Sequence, residues 1–320
     1  MGHPNFGLSR MERPDNKSFL RCFSRYVSRS VSAAGEKIGE DDGNGAMLRA
    51  ISTHIFLRQR LHPGLLETLA KGGAQGIEIF AARHHFDYTS KPHVKELAEW
   101  FAGNPVEPFS MHMPMFADAE MGRGGAPGVN VVHPEKSRRI DAMDEVKRAL
   151  ETAEEIPLRY LILHLGQRED MWSPRTVEHA MTAIEHLQAF ARPLGVKLLL
   201  ENIENEVTES LHLVEIIRIG HFKDVGVCLD VGHAHIGGGI PAAVAELKPL
   251  IRSTHIHDNH GQKDEHLWPG DGTIAWAETM QELRTAPDLA AAVLEINYLP
   301  EETPEHVAGR AAETFKKLEL

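Results

Sequence analysis

From Ile51 onward the chain alternates short apolar runs with amphipathic stretches about 10 to 20 residues long, the rhythm of successive strand and helix units that build a parallel sheet. The runs that read as strands are Ile51–Phe56, Gly76–Phe80, Pro108–Met113, Tyr160–Leu165, Lys197–Asn202, Val225–Asp230, Ser253–Asp258 and Ala291–Asn297. Helix-like segments lie between them, among them Val94–Phe101, Arg139–Ala153, Val177–Ala191, Leu211–Ile219 and Ala242–Leu247. Ser173-Pro174 and Thr303-Pro304 supply start signals for two more precisely bounded helices, a capping hydroxyl followed by proline in the first turn. This order predicts an α/β fold, a closed (β/α)8 TIM barrel, in preference to an open doubly wound sheet. The glycine-rich stretch Met121–Asn130, after the third strand, reads as a rim loop.

The N-terminal 46 residues break this rhythm. Arg and Ser cluster from Arg21 to Ser32, and Glu40 to Gly45 form a polar run, so residues 1–46 read as a disordered extension and residues 47–320 as the barrel. The Arg- and Ser-rich, acid-poor stretch Phe19–Arg29 has the look of an organellar presequence; the reading preferred here is a start assigned too far upstream, with Met47 as the natural one. Composition adds exclusions. The 320 residues are 42% hydrophobic, enough for one large core, and no apolar run approaches the roughly 20 residues that cross a bilayer. A net charge of -12 argues against broad affinity for nucleic acid. The two cysteines, Cys22 and Cys228, suggest neither a disulfide framework nor a thiolate metal site, and a cytoplasmic protein is expected.

A strand buried on both faces should be nearly uniformly apolar, because an ionisable group there costs desolvation unless something neutralises it. Yet the last six strands each carry a metal-capable side chain at or near the C-terminal end: His112, His164, Glu201, Asp230, His257 and Glu295. Strand ends of a barrel converge on one mouth, where groups distant in sequence can reach the same ion. His233, in the turn after Asp230, and Asp264 and His266, after the seventh strand, extend the set. Imidazole and carboxylate donors without thiolate suit divalent zinc, manganese, cobalt or iron, zinc and manganese first, and a carboxylate such as Glu201 can bridge two ions. A lone strand histidine is more often a hydrogen-bonded structural residue than a ligand, but a recurrence through successive strands is not accounted for in that way. His255 shares a strand face with His257, so the pattern alone leaves open which of the two is the ligand. Arg83, His85, His255 and Trp268 are the candidates for substrate contact, with His84 beside His85 as a further residue that could shape the pocket, while His54, His62, His133 and His221 read as surface or capping residues.

At these residues the chain resembles the xylose isomerase-like TIM-barrel superfamily, which includes sugar isomerases and epimerases and the endonuclease IV group. The resemblance runs from about Ile51 to the C-terminus. It rests on Leu200-Glu201-Asn202, Gly226 to His233, His255-Ile256-His257-Asp258-Asn259, and Asp264-Glu265-His266 through Ile274. Likeness to the endonuclease IV group implies up to three metal positions: His112, His164 and Glu201; Glu201, Asp230, His257 and Glu295; and His233, Asp264 and His266. The epimerase branch implies the second set alone, with Glu201 and Glu295 as catalytic carboxylates moving a proton beside a carbonyl. Against the endonuclease branch, the segment after the second strand, Phe80 to Tyr88, lacks that group's basic and polar loop composition. Against the ketose 3-epimerases, the position of their second substrate glutamate is Val207 here, with Glu204 and Glu206 close by.

These features predict a metal-dependent isomerase, epimerase or related lyase acting on a small carbohydrate or sugar phosphate. The alternative is a multinuclear-metal phosphoester hydrolase. A homo-oligomer is compatible with either, and no membrane partner is expected.

Overall fold

The computed structural model describes residues 47–117, 128–298, 300 and 302–320. The expected N-terminal extension and most of the expected 121–130 loop lie outside the described residues.

Eight strands pair in parallel, each with the next and the last with the first, to close a barrel. They are β1 (Leu48–Ser52), β2 (Gly76–Phe80), β3 (Glu107–His112), β4 (Tyr160–Leu163), β5 (Lys197–Glu201), β6 (Gly226–Asp230), β7 (Ile251–Ile256) and β8 (Ala291–Leu294). Around them run α1 (Pro63–Lys71), α2 (Lys91–Gly103), α3 (Lys136–Leu150), α4 (Pro174–Ala191), α5 (Ser210–Ile219), α6 (Val231–Gly237), α7 (Ile240–Leu247), α8 (Trp276–Leu283) and α9 (Pro304–Lys317). Both hydroxyl–proline signals are helix starts: Ser173 accepts from the Thr176 amide and Thr303 from that of His306. The segments read from the pattern do not include α1, α6 and α8; of these, α6 follows β6 without an intervening residue.

The two-residue period of the strands separates two environments. Leu198, Leu200, Val227, Leu229, Ala292 and Leu294 pack outward into the main core with the helices. Ile162, Leu199 and Cys228 form one cluster inside the barrel, and Ala50, Phe109, Ala291 and Val293 another. Two residues further along the strands come His164, Glu201, Asp230 and Glu295. An apolar floor therefore lies one inward step below a layer of ionisable groups, at the C-terminal ends of the strands.

The first strand differs from expectation. The chain leaves β1 after Ser52 and turns through a 3-10 helix, Thr53–Phe56, whose start is capped by Ser52 accepting from the His54 amide. Among the described residues no helix is long and apolar enough to cross a membrane.

Candidate metal centre

Three groups of donor atoms converge at the barrel mouth, the atoms of each lying within 4.8 Å of one another: His112, His164 and Glu201; Glu201, Asp230, His255 and Glu295; His233, His257, Asp264 and His266. All nine residues expected as ligands are brought together, and Glu201 belongs to two groups. One assignment changes. The resemblance implied His257 beside Glu201, Asp230 and Glu295, but the structure puts His255 there. The cause is register: β6 and β7 pair with an irregularity between Val227 and Cys228 that sets Asp230 opposite His255. His257, one inward step higher, still reaches Asp230, with Nε2 3.0 Å from Oδ2, and also meets the loop carrying Asp264.

Backbone carbonyls settle which ring nitrogen faces the cluster. A carbonyl only accepts, so Nδ1 donates from His112 to Met113 (2.8 Å), from His233 to Asn202 (2.9 Å) and from His266 to Glu295 (2.9 Å). Each ring thereby keeps Nε2 for its cluster. In the first group, His164 Nε2 is 3.1 Å from His112 Nε2 and 2.9 Å from Glu201 Oε2. In the third, Asp264 Oδ2 lies 2.9 Å from His266 Nε2 and 3.3 Å from His233 Nε2. Tetrahedral ligands at the usual zinc bond lengths sit about 3.3 Å apart, so these spacings fit a common ion. Asp264 also approaches His257 Nε2 at 3.8 Å.

The charge balance fits a cation as well. Glu201, Asp230 and Glu295 are buried, and among the described residues their ion-pair partners are all imidazoles. Burial opposes ionisation of Glu201, but His255 and His164 hold it well below the usual carboxylate range. Burial likewise opposes protonation of His233, yet Asp230 and Asp264 push it up to about 10, and the same balance takes His266 up to about 9. His266 also holds a left-handed backbone, φ 47°, which is uncommon outside glycine and concentrates at functional positions.

A cavity of about 430 Å³ opens over the clusters. His112, His164, Glu201, His233, Asp264, His266 and Glu295 line it, with Leu57, Phe80, Met115 and Phe116 as apolar wall and Arg168 as the one arginine or lysine among its lining residues. A neighbouring cavity of about 550 Å³ shares Arg168, Glu204, Asp264 and His266.

The expected substrate contacts are placed elsewhere. Arg83 is engaged by Glu145 and Tyr88. His85 is fully buried, bonded through Nδ1 to the Gln59 carbonyl at 2.6 Å. Neither lines the cavity over the clusters. His255 is fully buried inside the second group, and Trp268, buried beneath Arg310, lines only the neighbouring cavity. In their stead stand His84 and His54. His54, expected as a surface or capping residue, bonds through Nδ1 to the Ile296 carbonyl at 3.0 Å; burial holds its pKa well below the ordinary value. The early end of β1 delivers it there. A further residue escaped the sequence reading altogether: Glu78, fully buried in β2, 3.1 Å from His255 Nε2. Its only sequence signal is one carboxylate inside the apolar run Gly76–Phe80.

The fold and its mouth define a class: parallel eight-stranded barrels whose strand ends converge on clustered imidazoles and carboxylates. The chain belongs to the xylose isomerase-like TIM barrel family, whose sequence model matches residues 66–318. It is 26% identical over 245 residues to an uncharacterized protein of Methanocaldococcus jannaschii, covering 73% of this chain and 78% of that one. It is 22% identical over 200 residues to fructoselysine 3-epimerase of Shigella flexneri, covering 59% and 71%. With a probable endonuclease 4 of Haloquadratum walsbyi it shares 25% over 166 residues, 46% of this chain and 58% of the relative. Among solved structures, a D-tagatose 3-epimerase-like protein superposes with a TM-score of 0.69 at 23% identity, covering 85% of this chain and 96% of that one.

Proposed function

We propose that the protein is a metal-dependent isomerase or epimerase of a small carbohydrate or sugar phosphate. The observation that carries this reading is the placement of Glu201 and Glu295 in one donor group with His255 and Asp230, while both also line the cavity. A divalent ion, zinc or manganese, held by Glu201, Asp230, His255 and Glu295 would supply Lewis-acid polarisation of a substrate carbonyl. One of the two glutamates removes the proton from the carbon beside that carbonyl, and the carboxylic acid so formed, or its partner across the site, returns a proton. Return to the opposite face inverts the centre; return to the neighbouring carbon isomerises it. The apolar wall of Leu57, Phe80, Met115 and Phe116 limits water around the reacting carbon. The adjoining second cavity gives room for a sugar bearing a further group. The similarity to fructoselysine 3-epimerase supports the same reaction class.

A specific observation favours a second reading. The third group, His233, His257, Asp264 and His266, goes beyond what proton transfer at one carbon requires, and several ions together suit phosphoester hydrolysis. The decisive measurement is NMR of ketoses, aldoses and their glycosylated or N-linked derivatives in D2O with the metal-loaded protein, beside cleavage assays on an abasic-site duplex and simple phosphodiesters. Deuterium entering the carbon beside the carbonyl is expected, falling by roughly 10²-fold or more in Glu201→Gln. Metal-dependent duplex cleavage at low enzyme concentration, with no exchange into any sugar, would replace the isomerase reading by the hydrolase one.

A further inference from the structure

His255 is held differently from the three imidazoles whose orientation a backbone carbonyl fixes. His112, His233 and His266 are each fixed by a backbone carbonyl on Nδ1 and present Nε2. His255 is the reverse: Nδ1 lies 3.1 Å from Glu201 Oε1, 3.2 Å from Glu295 Oε2 and 3.7 Å from Asp230 Oδ2. Nε2 points across the barrel to β2, where it meets Glu78 at 3.1 and 3.3 Å from the two carboxylate oxygens. Strand carbonyls at that depth are committed to the ladder, so a side chain has to supply the acceptor. Glu78 is itself aligned by Ser110, opposite it in the β2–β3 pairing, whose hydroxyl donates to Oε2 at 2.8 Å.

We propose that Glu78 is a positioning residue: by accepting the Nε2 proton of His255 it leaves Nδ1 as the donor atom that completes the site of Glu201, Asp230 and Glu295. The inference rests on the metal reading above and concerns how that site is built, not which reaction follows. An unprotonated nitrogen among three carboxylates needs a cation there; without one, the same nitrogen carries a proton and donates it to Glu201 or Glu295, so the ion takes the place of that proton. A carboxylate behind a ligating imidazole also raises its basicity, and removing such a partner typically weakens metal binding by roughly 10- to 100-fold.

The test uses the full chain, stripped with chelator and titrated with Co2+ by absorption and calorimetry, with unfolding temperatures of the metal-free proteins measured in parallel. In Glu78→Ala one Co2+ equivalent is expected to weaken by roughly 10- to 100-fold. Glu78→Gln, whose amide oxygen still accepts from Nε2–H, should recover much of that loss, and Ser110→Ala should show a smaller one. If Glu78→Ala does not fold, Glu78→Gln and Glu78→Asp decide, because the shorter Asp keeps the charge but not the reach. Weak binding in Glu78→Asp with recovery in Glu78→Gln supports positioning, whereas the opposite order shows charge alone at work and overturns it. Co2+ affinity within about twofold of the parent in every variant, with only the metal-free unfolding temperature lowered, also overturns it. A parent chain that binds no Co2+ removes the metal reading and this inference together.

Discussion

Gly232 controls how closely the first turn of α6 can approach His257. A Cβ at that position would lie 2.0 Å from Cε1 of the ring, and the backbone carbonyl of Gly232 accepts from Asn259. Gly232→Ala therefore has to push His257 out of the third group or lift the turn that carries His233. We expect a loss of about one metal equivalent together with the roughly 1–3 kcal/mol that overpacking costs. Metal analysis alongside denaturant unfolding checks this, and unchanged metal content would show that His257 is dispensable. Single residues were also where the sequence was hardest to read. Asp230, Glu201 and Glu295 stand out as carboxylates closing apolar runs. His255 and His257 share a strand face, and only the β6–β7 register distinguishes their depths. Glu78 leaves almost no trace because its partner is 177 positions away in the chain.

The connections around the barrel show how histidines serve structure as well as chemistry. The segment from Leu57 to Leu61 is fastened by three imidazoles, with Nε2 of His84 bonded to the Leu57 carbonyl, Nδ1 of His85 to Gln59 and Nε2 of His93 to Leu61. Burial, ahead of all other causes, lowers the His85 pKa to about 4. A depressed histidine binds fewer protons folded than unfolded, so its contribution is fully present above the unfolded value of about 6.5 and is lost as pH falls towards 4. Across that interval the loss is on the order of 3 kcal/mol. Comparing the acid limb of unfolding in the metal-free parent and His85→Gln, which keeps a donor but does not titrate, should show a flatter limb in the variant. Equal slopes would place the acid sensitivity elsewhere. The loop after β7 depends on one side chain in a similar way. Asp258 accepts from the amides of Asn259, Gly270 and Ile274 and from the Trp276 indole, and this shapes the loop that carries Asp264 and His266. Asp258→Ala is expected to cost on the order of 3 kcal/mol and to weaken the third group; retained stability in a melting experiment would contradict this. Element identity was legible because strands and long helices have distinct periods. The short turn Thr53–Phe56 was not, since Ile55 and Phe56 read as the end of the strand begun at Ile51.

At the scale of the molecule, the barrel gathers donors from six strand ends, the first turn of α6 and one loop into one mouth, which explains why strand rhythm predicted the location better than the grouping. Protein purified without chelator should carry two or more divalent ions per chain, and its unfolding temperature should fall when they are removed, because ligands that bind only the folded state stabilise it. One equivalent, unaffected by His112→Ala, would reduce the centre to a single ion. Glu201 adds a constraint of its own. Because its carboxylate belongs to both the first and the second group, a substitution at Glu201 takes a donor from two ion positions at once. His112→Ala should subtract one ion from the tally, whereas Glu201→Ala should subtract two, so the stoichiometric deficit itself identifies which residue is shared.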